Sequence, residues 1–244
     1  MTERKNFQMD NQMTPLYTFT GPPCIGKTSI MNELKNVLQG NWFYIDEVTR
    51  HMKRKYDIGI NEDGSEISEL LLINRHISNA MYPVSKRKEA YDGIILNRCI
   101  LDTYVFTEWG HDAGKIPDWI LDYASRSLSL FIGKYDLIFY PDPYEVDLKG
   151  DGVRSDSNSF RKEITQIFES VIDRYEIPVV KLSGSNNERV DTFLDCIRED
   201  MTPHNTVFND DPSYTIAGRY IKADELHESI LKTYIDPLDD ILQL

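Results

Sequence analysis

Residues 21 to 29 read GPPCIGKTS and follow directly on the β-prone run LYTFT. No other stretch restricts the fold as strongly. It fits G-x-x-x-x-G-K-[ST] with Gly21, Gly26, Lys27 and Thr28 in place, a pattern whose meaning depends on lying between a strand and a helix. Both flanks are legible, since 16–20 is strand-like and Ile30, Met31, Leu34, Val37 and Leu38 recur at helical spacing from Lys27 onward. Such a loop turns successive backbone N–H groups toward one point at a helix N-terminus, where the peptide dipoles also favour an anion. Gly21, Pro22, Pro23, Cys24, Ile25, Gly26, Lys27, Thr28 and Ser29 are therefore the candidate nucleotide-binding residues. Lys27 is suited to reach the β- and γ-phosphates, and the Thr28 hydroxyl to ligate Mg²⁺. Cys24 reads as a small loop residue rather than a nucleophile.

The remaining chain repeats the strand–helix alternation. WFYID at 42–46 reads as a strand, and Ile67, Leu70, Leu71, Ile73, Ile77 and Met81 mark an amphipathic helix between Glu66 and Tyr82 that is expected to continue toward Tyr91 despite Pro83. GIILNRCI is a continuous apolar run suited to a strand buried on both faces. Further on come a helix in IPDWILDYASRSLSLF, a strand in YDLIFYPDP, a helix in SFRKEITQIFESVIDRY, a strand in IPVVKLSG and a helix in NERVDTFLDCIRED. TRHMKRKYDIGINEDGSEIS and DLKGDGVRSDS are expected to be exposed loops, the first with at most a short helix. Five strands alternating with helices imply an α/β fold with a five-stranded parallel sheet, helices on both faces and right-handed crossovers. We expect one domain over 1–201, frayed over 1–14, and over 202–244 a loop followed by a helical extension packed on the same domain.

At 244 residues with a formal net charge of −13, the chain is ill suited to wide nonspecific binding of nucleic acid or anionic membrane. Three cysteines without metal-ligand spacing point to a reducing, cytoplasmic setting. No apolar run approaches the length of a membrane helix, so no membrane association is expected.

The candidate acceptor residues lie at the carboxyl ends of the strands, where ligands of open α/β sheets collect. IDEVTR carries Asp46, Glu47 and Arg50: a carboxylate there can take the proton of an attacking hydroxyl, and a guanidinium can hold a polar acceptor, or the group can be a solvated helix cap with a surface ion pair. After GIIL, position 97 is asparagine, which cannot supply the negative charge that commonly orients metal-bound water. Asp102 can compensate as a metal or acceptor group and Arg98 can contact acceptor or phosphate, or both can be structural pairs. Arg154 and Arg161 follow the fourth strand, where arginines can close over a γ-phosphate or simply pair with neighbouring acids.

Taken in order, GPPCIGKTS, IDEVTR, ILNRCILDTYVFTEW, YDLIFYPDP with DGVR and FRKE, and VVKLSGS with ERV resemble the P-loop kinases related to the ribosylnicotinamide kinase domain of the bacterial NAD-biosynthesis regulator. That group is akin to deoxynucleoside and thymidylate kinases, and the similarity covers about 16 to 200. It implies a three-layer P-loop NTPase fold and Mg²⁺-dependent phosphoryl transfer from ATP to a hydroxyl. It further implies that Glu47 is the acceptor-side carboxylate or general base, Arg50 an acceptor-binding residue and Arg154 a lid arginine, with Ser183, Gly184 and Arg189 near the adenine. Asn97 and Cys99 depart from the Asp and Ser typical of the family. The acceptor so implied is a nucleoside, a nucleotide or a related ribosylated small molecule. Related viral kinases act on hydroxymethylated bases in DNA, which makes a DNA strand the alternative acceptor, with Arg50–Tyr56 as the one basic cluster beside an aromatic. A nucleotide-dependent switch or interaction module is the third reading, and a homo-oligomer stays open.

Overall fold

The computed structural model describes residues 14–56, 65–81, 91–145, 158–200, 213–216 and 219–222. Leu16–Phe19 (β1), Trp42–Ile45 (β2), Gly93–Asn97 (β3), Leu137–Pro141 (β4) and Val180–Leu182 (β5) form one sheet in the order β2-β3-β1-β4-β5. All four pairings are parallel. Parallel strands need both faces covered, and their alternation does this here. Leu16, Ile94, Leu96, Ile138 and Tyr140 face one core, while Tyr17, Phe19, Ile95 and Phe139 face the other. β3 starts at glycine for a local reason: a Cβ on Gly93 would lie 2.4 Å from the Trp42 ring of the neighbouring strand.

The described helices are Lys27–Val37 (α1), Val48–Tyr56 (α2), Glu66–Ala80 (α3), Ile100–Asp112 (α4), Asp118–Phe131 (α5), Asn158–Arg174 (α6) and Asn186–Asp200 (α7). α1 and α7 cover the Tyr17–Phe19 face, where Phe19, Phe139 and Phe193 stack with centroids 4.5 to 5.7 Å apart. α3, α4, α5 and α6 supply the opposite core. The three-layer α/β fold expected from the sequence is thus present.

Three local expectations are corrected. The run GIILNRCI is not one strand: β3 stops at Asn97, Arg98 takes a left-handed backbone with φ of 88°, and α4 begins at Ile100. In the stretch from Thr49 expected as exposed loop with room for a short helix, a helix is present and already starts at Val48, running nine residues to Tyr56. The inward face of α3 is also rotated from the apolar reading, because Ile67 is 68% exposed while Ser68, Glu69, His76 and Asn79 are buried. The expected continuation of α3 over 82–90 lies outside the described residues.

The chain divides into Met1–Met201 and Thr202–Leu244. In the second unit, Ser213–Ile216 (β6) and Arg219–Lys222 (β7) pair antiparallel, where loop was expected up to about 219. The terminal helices expected after Lys222 lie outside the described residues, as does the frayed start expected over 1–14 up to residue 13. Among the described residues no helix is long and apolar enough to cross a membrane.

Glu69 has a measurable consequence. The Thr107 hydroxyl donates to Thr103 O at 2.9 Å and lies 3.1 Å from Glu69 Oε2; one proton cannot serve both, whereas a protonated Glu69 can itself donate to Thr107. Burial pushes the Glu69 carboxyl up to about 7, against a lowering by Thr107. The folded chain therefore binds the extra proton between the unfolded value of 4.5 and about 7. The stability this contributes is full below 4.5, falls as pH rises and is gone above 7, a change of about 3 kcal/mol. Glu69→Gln, whose amide can donate to Thr107 at any pH, is expected to remove that slope and raise the urea midpoint at pH 8. An unchanged pH dependence of unfolding would contradict this.

Candidate active site

The turn after β1 leaves the central strand at Thr20, and its geometry follows from the backbone. Gly21 sits at φ of 120°, and a Cβ there would meet Ile25 Cδ1 at 2.8 Å, so the first glycine is required by both conformation and space. Gly26 caps α1 without a side-chain hydrogen bond, and the first turn of α1 holds no acidic residue. The helix therefore presents its N-terminus to an anion without a built-in competitor. Lys27 is buried, its Nζ donating to Gly21 O at 2.6 Å and Pro22 O at 2.7 Å. Cys24 is partly exposed at φ of 59° and is a free thiol.

Register places the neighbouring strand ends beside this loop. Phe19 pairs with Asn97 and Ile45 with Leu96, so Thr20, Arg98 and Glu47 emerge along one edge. They join in a continuous network. Thr20 Oγ1 donates to Asp102 Oδ2 at 2.7 Å, Arg98 Nη1 to Asp102 Oδ1 at 2.8 Å, Arg98 Nε to Glu47 Oε1 at 3.0 Å, and Arg50 Nε lies 3.1 Å from Glu47 Oε2. Cys99 N–H also donates to Asp102 Oδ2 at 3.0 Å, closing the N-terminal cap of α4. Burial opposes the charge on Arg98, but Glu47 and Asp102 outweigh it and hold the guanidinium above its usual value. Burial and the Asp102 charge push the Cys99 thiol up to about 12, so it is no nucleophile at neutral pH.

Two carboxylates thus share the Arg98 guanidinium. Asp102 was read as a candidate metal or acceptor group. Its oxygens accept from Thr20, Cys99 and Arg98, and it is only 1% exposed, so it is engaged within the protein and holds Arg98 in place. Glu47 stands at the end of the network with Arg50 on its outer side, and Arg50 is half-exposed. Asp46, expected with the acceptor group, turns away: it is 80% exposed and pairs with Lys35 at 3.1 Å.

Asn97 Nδ2 lies 3.3 Å from Thr28 Oγ1, bringing the end of β3 to the first turn of α1. Amide oxygen and nitrogen are assigned by such contacts, and of the two only the oxygen can face a cation. Among the described residues no group of three or more His, Cys, Asp and Glu could hold a metal. A hydroxyl and an amide fit Mg²⁺, which takes few protein oxygens and relies on phosphates and water.

The other expected residues lie around this centre. Arg189 is buried beneath the loop, with Nη1 donating to Ile25 O at 3.0 Å and Nη2 to Glu145 Oε2 at 3.1 Å, and it supports the phosphate loop from below. Arg161 donates through Nη2 to Pro143 O at the turn after β4. Arg154 lies outside the described residues. Thr20, His76 and Asn79 were not singled out in the sequence. Thr20 had a signal in its place between strand and loop; the other two had none, lying inside an apparently apolar helix. A groove of about 510 Å³ lined by Glu108, Trp109, Asp112 and Glu163 runs between α4 and α6, on the helix flanks rather than at the strand ends.

A family model described as an AAA domain (AAA_28) matches residues 16–189. Solved structures share the fold at low identity. NadR protein in complex with NR superposes with a TM-score of 0.60 at 16% identity, covering 80% of this chain and 53% of that one. Deoxyadenosine kinase from M.mycoides gives 0.54 at 11%, covering 75% and 99%, and thymidylate kinase from Candida albicans gives 0.56 at 17%, covering 77% and 92%. The chain spans about half the length of the NadR chains it matches. No curated protein matches it.

Proposed function

We propose, from the premise that the chain belongs to the AAA domain family and carries the fold of P-loop nucleoside and nucleotide kinases, that it transfers the γ-phosphoryl group of ATP to a hydroxyl of a nucleoside, a nucleotide or a related ribosylated small molecule. The observation that carries this reading is the unbroken chain Thr20–Asp102–Arg98–Glu47–Arg50, which ties the strand before the phosphate loop to a carboxylate–arginine pair. A phosphate loop alone would suit a switch equally well. A fixed carboxylate beside it gives an acceptor hydroxyl a group to take its proton, which a switch does not need.

The loop amides and the α1 N-terminus hold the triphosphate, and Lys27 exchanges its two carbonyl contacts for phosphate oxygens. Mg²⁺, when held by Thr28 with Asn97 beside it, would neutralise charge on the β- and γ-phosphates. Arg98, fixed by two carboxylates, and Arg50 orient the acceptor. Glu47 accepts the hydroxyl proton as the acceptor oxygen bonds to γ-phosphorus and the bond to the β–γ bridging oxygen breaks, releasing ADP. Arg161 holds the turn after β4, and Arg154, given the role of a lid arginine by the family resemblance, would neutralise charge on the transferring group.

Incubation with γ-labelled ATP and a panel of nucleosides and nucleotides tests this reading. Label is expected in one acceptor class, and ATP hydrolysis with no labelled product would overturn it. Glu47→Gln keeps hydrogen-bonding capacity but not basicity, and is expected to lower kcat by about 10²-fold with ATP KM little changed. An unaltered kcat would remove Glu47 from the chemistry.

One observation favours a DNA strand as a second acceptor. On α2, His51, Lys53, Lys55 and Tyr56 are exposed, and Lys55 Nζ lies 4.8 Å from the Tyr56 ring centroid. Label entering polymer, with a rate that falls steeply as salt rises, would select that reading over the small molecule.

A further inference from the structure

α3 carries an unusual load of inward polar groups. Most are satisfied within the protein: Ser68 completes the capping box with Ser65, Glu69 meets Thr107, and Asn74 accepts from Tyr123 Oη at 2.9 Å while donating to Leu70 O at 2.8 Å. His76 and Asn79 differ. They are 1% and 3% exposed, one turn apart on the helix, and His76 Nδ1 and Asn79 Nδ2 have no hydrogen-bond partner. Native chains rarely leave buried donors and acceptors unmade, because each forfeits its contacts with water for nothing.

The place of these two groups gives them a purpose. Glu69 meets Thr107 in the middle of α4, and seven residues further along α3, roughly 10 Å at helical rise, His76 lies within the fields of Asp102, Arg98 and Glu47. Ile73 and Ile77, on either side of His76, pack in one core with Ile100 and Leu101 of α4, so His76 stands beside the helix that carries Asp102, and Asn79 follows one turn further along α3. Burial pushes the imidazole down to about 4, so His76 is neutral at physiological pH and repels neither a neutral nor a cationic ligand.

We propose that His76 and Asn79 are the specificity-determining residues of the acceptor site, and that they read the edge of a planar amide-bearing head group, either a nucleobase or an exocyclic carboxamide. This inference rests on the kinase reading above and deepens it. Asn79 Nδ2 donates to a carbonyl or ring-nitrogen acceptor, while His76 Nδ1 pairs with the neighbouring polar atom in the tautomer that matches it. The head group completes bonds that the free chain lacks, and sites of this kind reject analogues without the matching polar group.

The test uses the full chain and the variants Asn79→Leu and His76→Leu, with adenosine, guanosine, cytidine, uridine, thymidine, nicotinamide riboside and the headless methyl β-D-ribofuranoside as probes. Direct binding is measured by calorimetry and transfer by labelled ATP. Each leucine variant is expected to weaken binding of the preferred probe by about tenfold or more. ATP KM stays unchanged, and the unfolding temperature is unchanged or higher, because an unpartnered buried polar group has been removed. Preference among the bases points to a base edge, and preference for nicotinamide riboside to a carboxamide. Unchanged affinity in both variants, equal binding of the headless sugar, no binding of any probe, or unfolding of both variants would each overturn the inference. A probe bound by the parent chain and lost in the variants without any phosphoryl transfer would uphold it while ending the kinase reading.

Discussion

Arg98→Met is expected to lower folding stability by about 3–5 kcal/mol and to abolish phosphoryl transfer. The size of the effect comes from what remains behind. Glu47 and Asp102 are both buried, and Arg98 is the cation that neutralises them from within the core, through Nε on one side and Nη1 on the other. Removing it leaves Asp102 buried without a cation and Glu47 with only the half-exposed Arg50, two like charges in a region of low dielectric. Arg98→Lys is expected to recover little, because one ammonium cannot reproduce two bonds leaving the guanidinium in different directions. Combining Arg98→Met with Asp102→Asn is expected to cost less than the sum of the single changes, since the second removes a charge that the first left unpaired. Arg98→Gly separates pairing from backbone, as glycine relieves the left-handed conformation at φ of 88° and is expected to unfold at higher urea than Arg98→Met. Urea midpoints of the five variants, Asp102→Asn alone included, decide the matter. Arg98→Met within about 1 kcal/mol of the parent would show that the cluster is hydrated rather than buried.

The same cluster shows which features could be read from residues alone. The phosphate loop was legible because its pattern, strand and helix are contiguous. Glu47 was legible from its place just beyond a strand, but adjacency misled at Asp46: the chain turns after Ile45, so consecutive side chains diverge, one to Lys35 at the surface and the other to Arg98 inside. α4 left no stripe to find. Ile100, Leu101, Asp102, Thr103, Tyr104, Val105 and Thr107 are all buried, and a helix covered nearly all round loses the period of 3.6. Its apolar residues continued those of β3 without a glycine to mark the break, since the turn is made by Arg98, held at positive φ by its ion pairs. Asp102 looked like a spare carboxylate for a metal because the helix it caps was invisible. On α3 the difficulty ran the other way, as Ile67 faces solvent and polar residues face inward. Ser213–Ile216 alternates polar with aromatic or apolar residues and Arg219–Lys222 carries Tyr220 and Ile221, about an Ala-Gly pair, a hairpin signal that the acidic sequence before it obscured.

Lys27→Ala is expected to reduce phosphoryl transfer by about three orders of magnitude or more while leaving the fold intact. The two effects separate because of where the ammonium sits. It bridges Gly21 O and Pro22 O at the mouth of the loop, and truncation returns these carbonyls to water at a cost of about 1 kcal/mol. The supports beneath the loop do not depend on it, since Arg189 still holds Ile25 O and the Ile25 side chain remains packed in the interior. The loop amides also remain, so nucleotide is expected to bind more weakly rather than not at all. What is lost is the positive charge that follows the γ-phosphoryl group as it moves toward the acceptor, and this acts mainly on kcat. Lys27→Arg keeps the charge but replaces a compact ammonium with a planar fork too wide for two carbonyls of adjacent residues, and it is expected to restore binding more than turnover. A fluorescent ATP analogue reads the first quantity and single-turnover transfer the second. If Lys27→Ala retained both, the phosphate loop would not be where the donor is held.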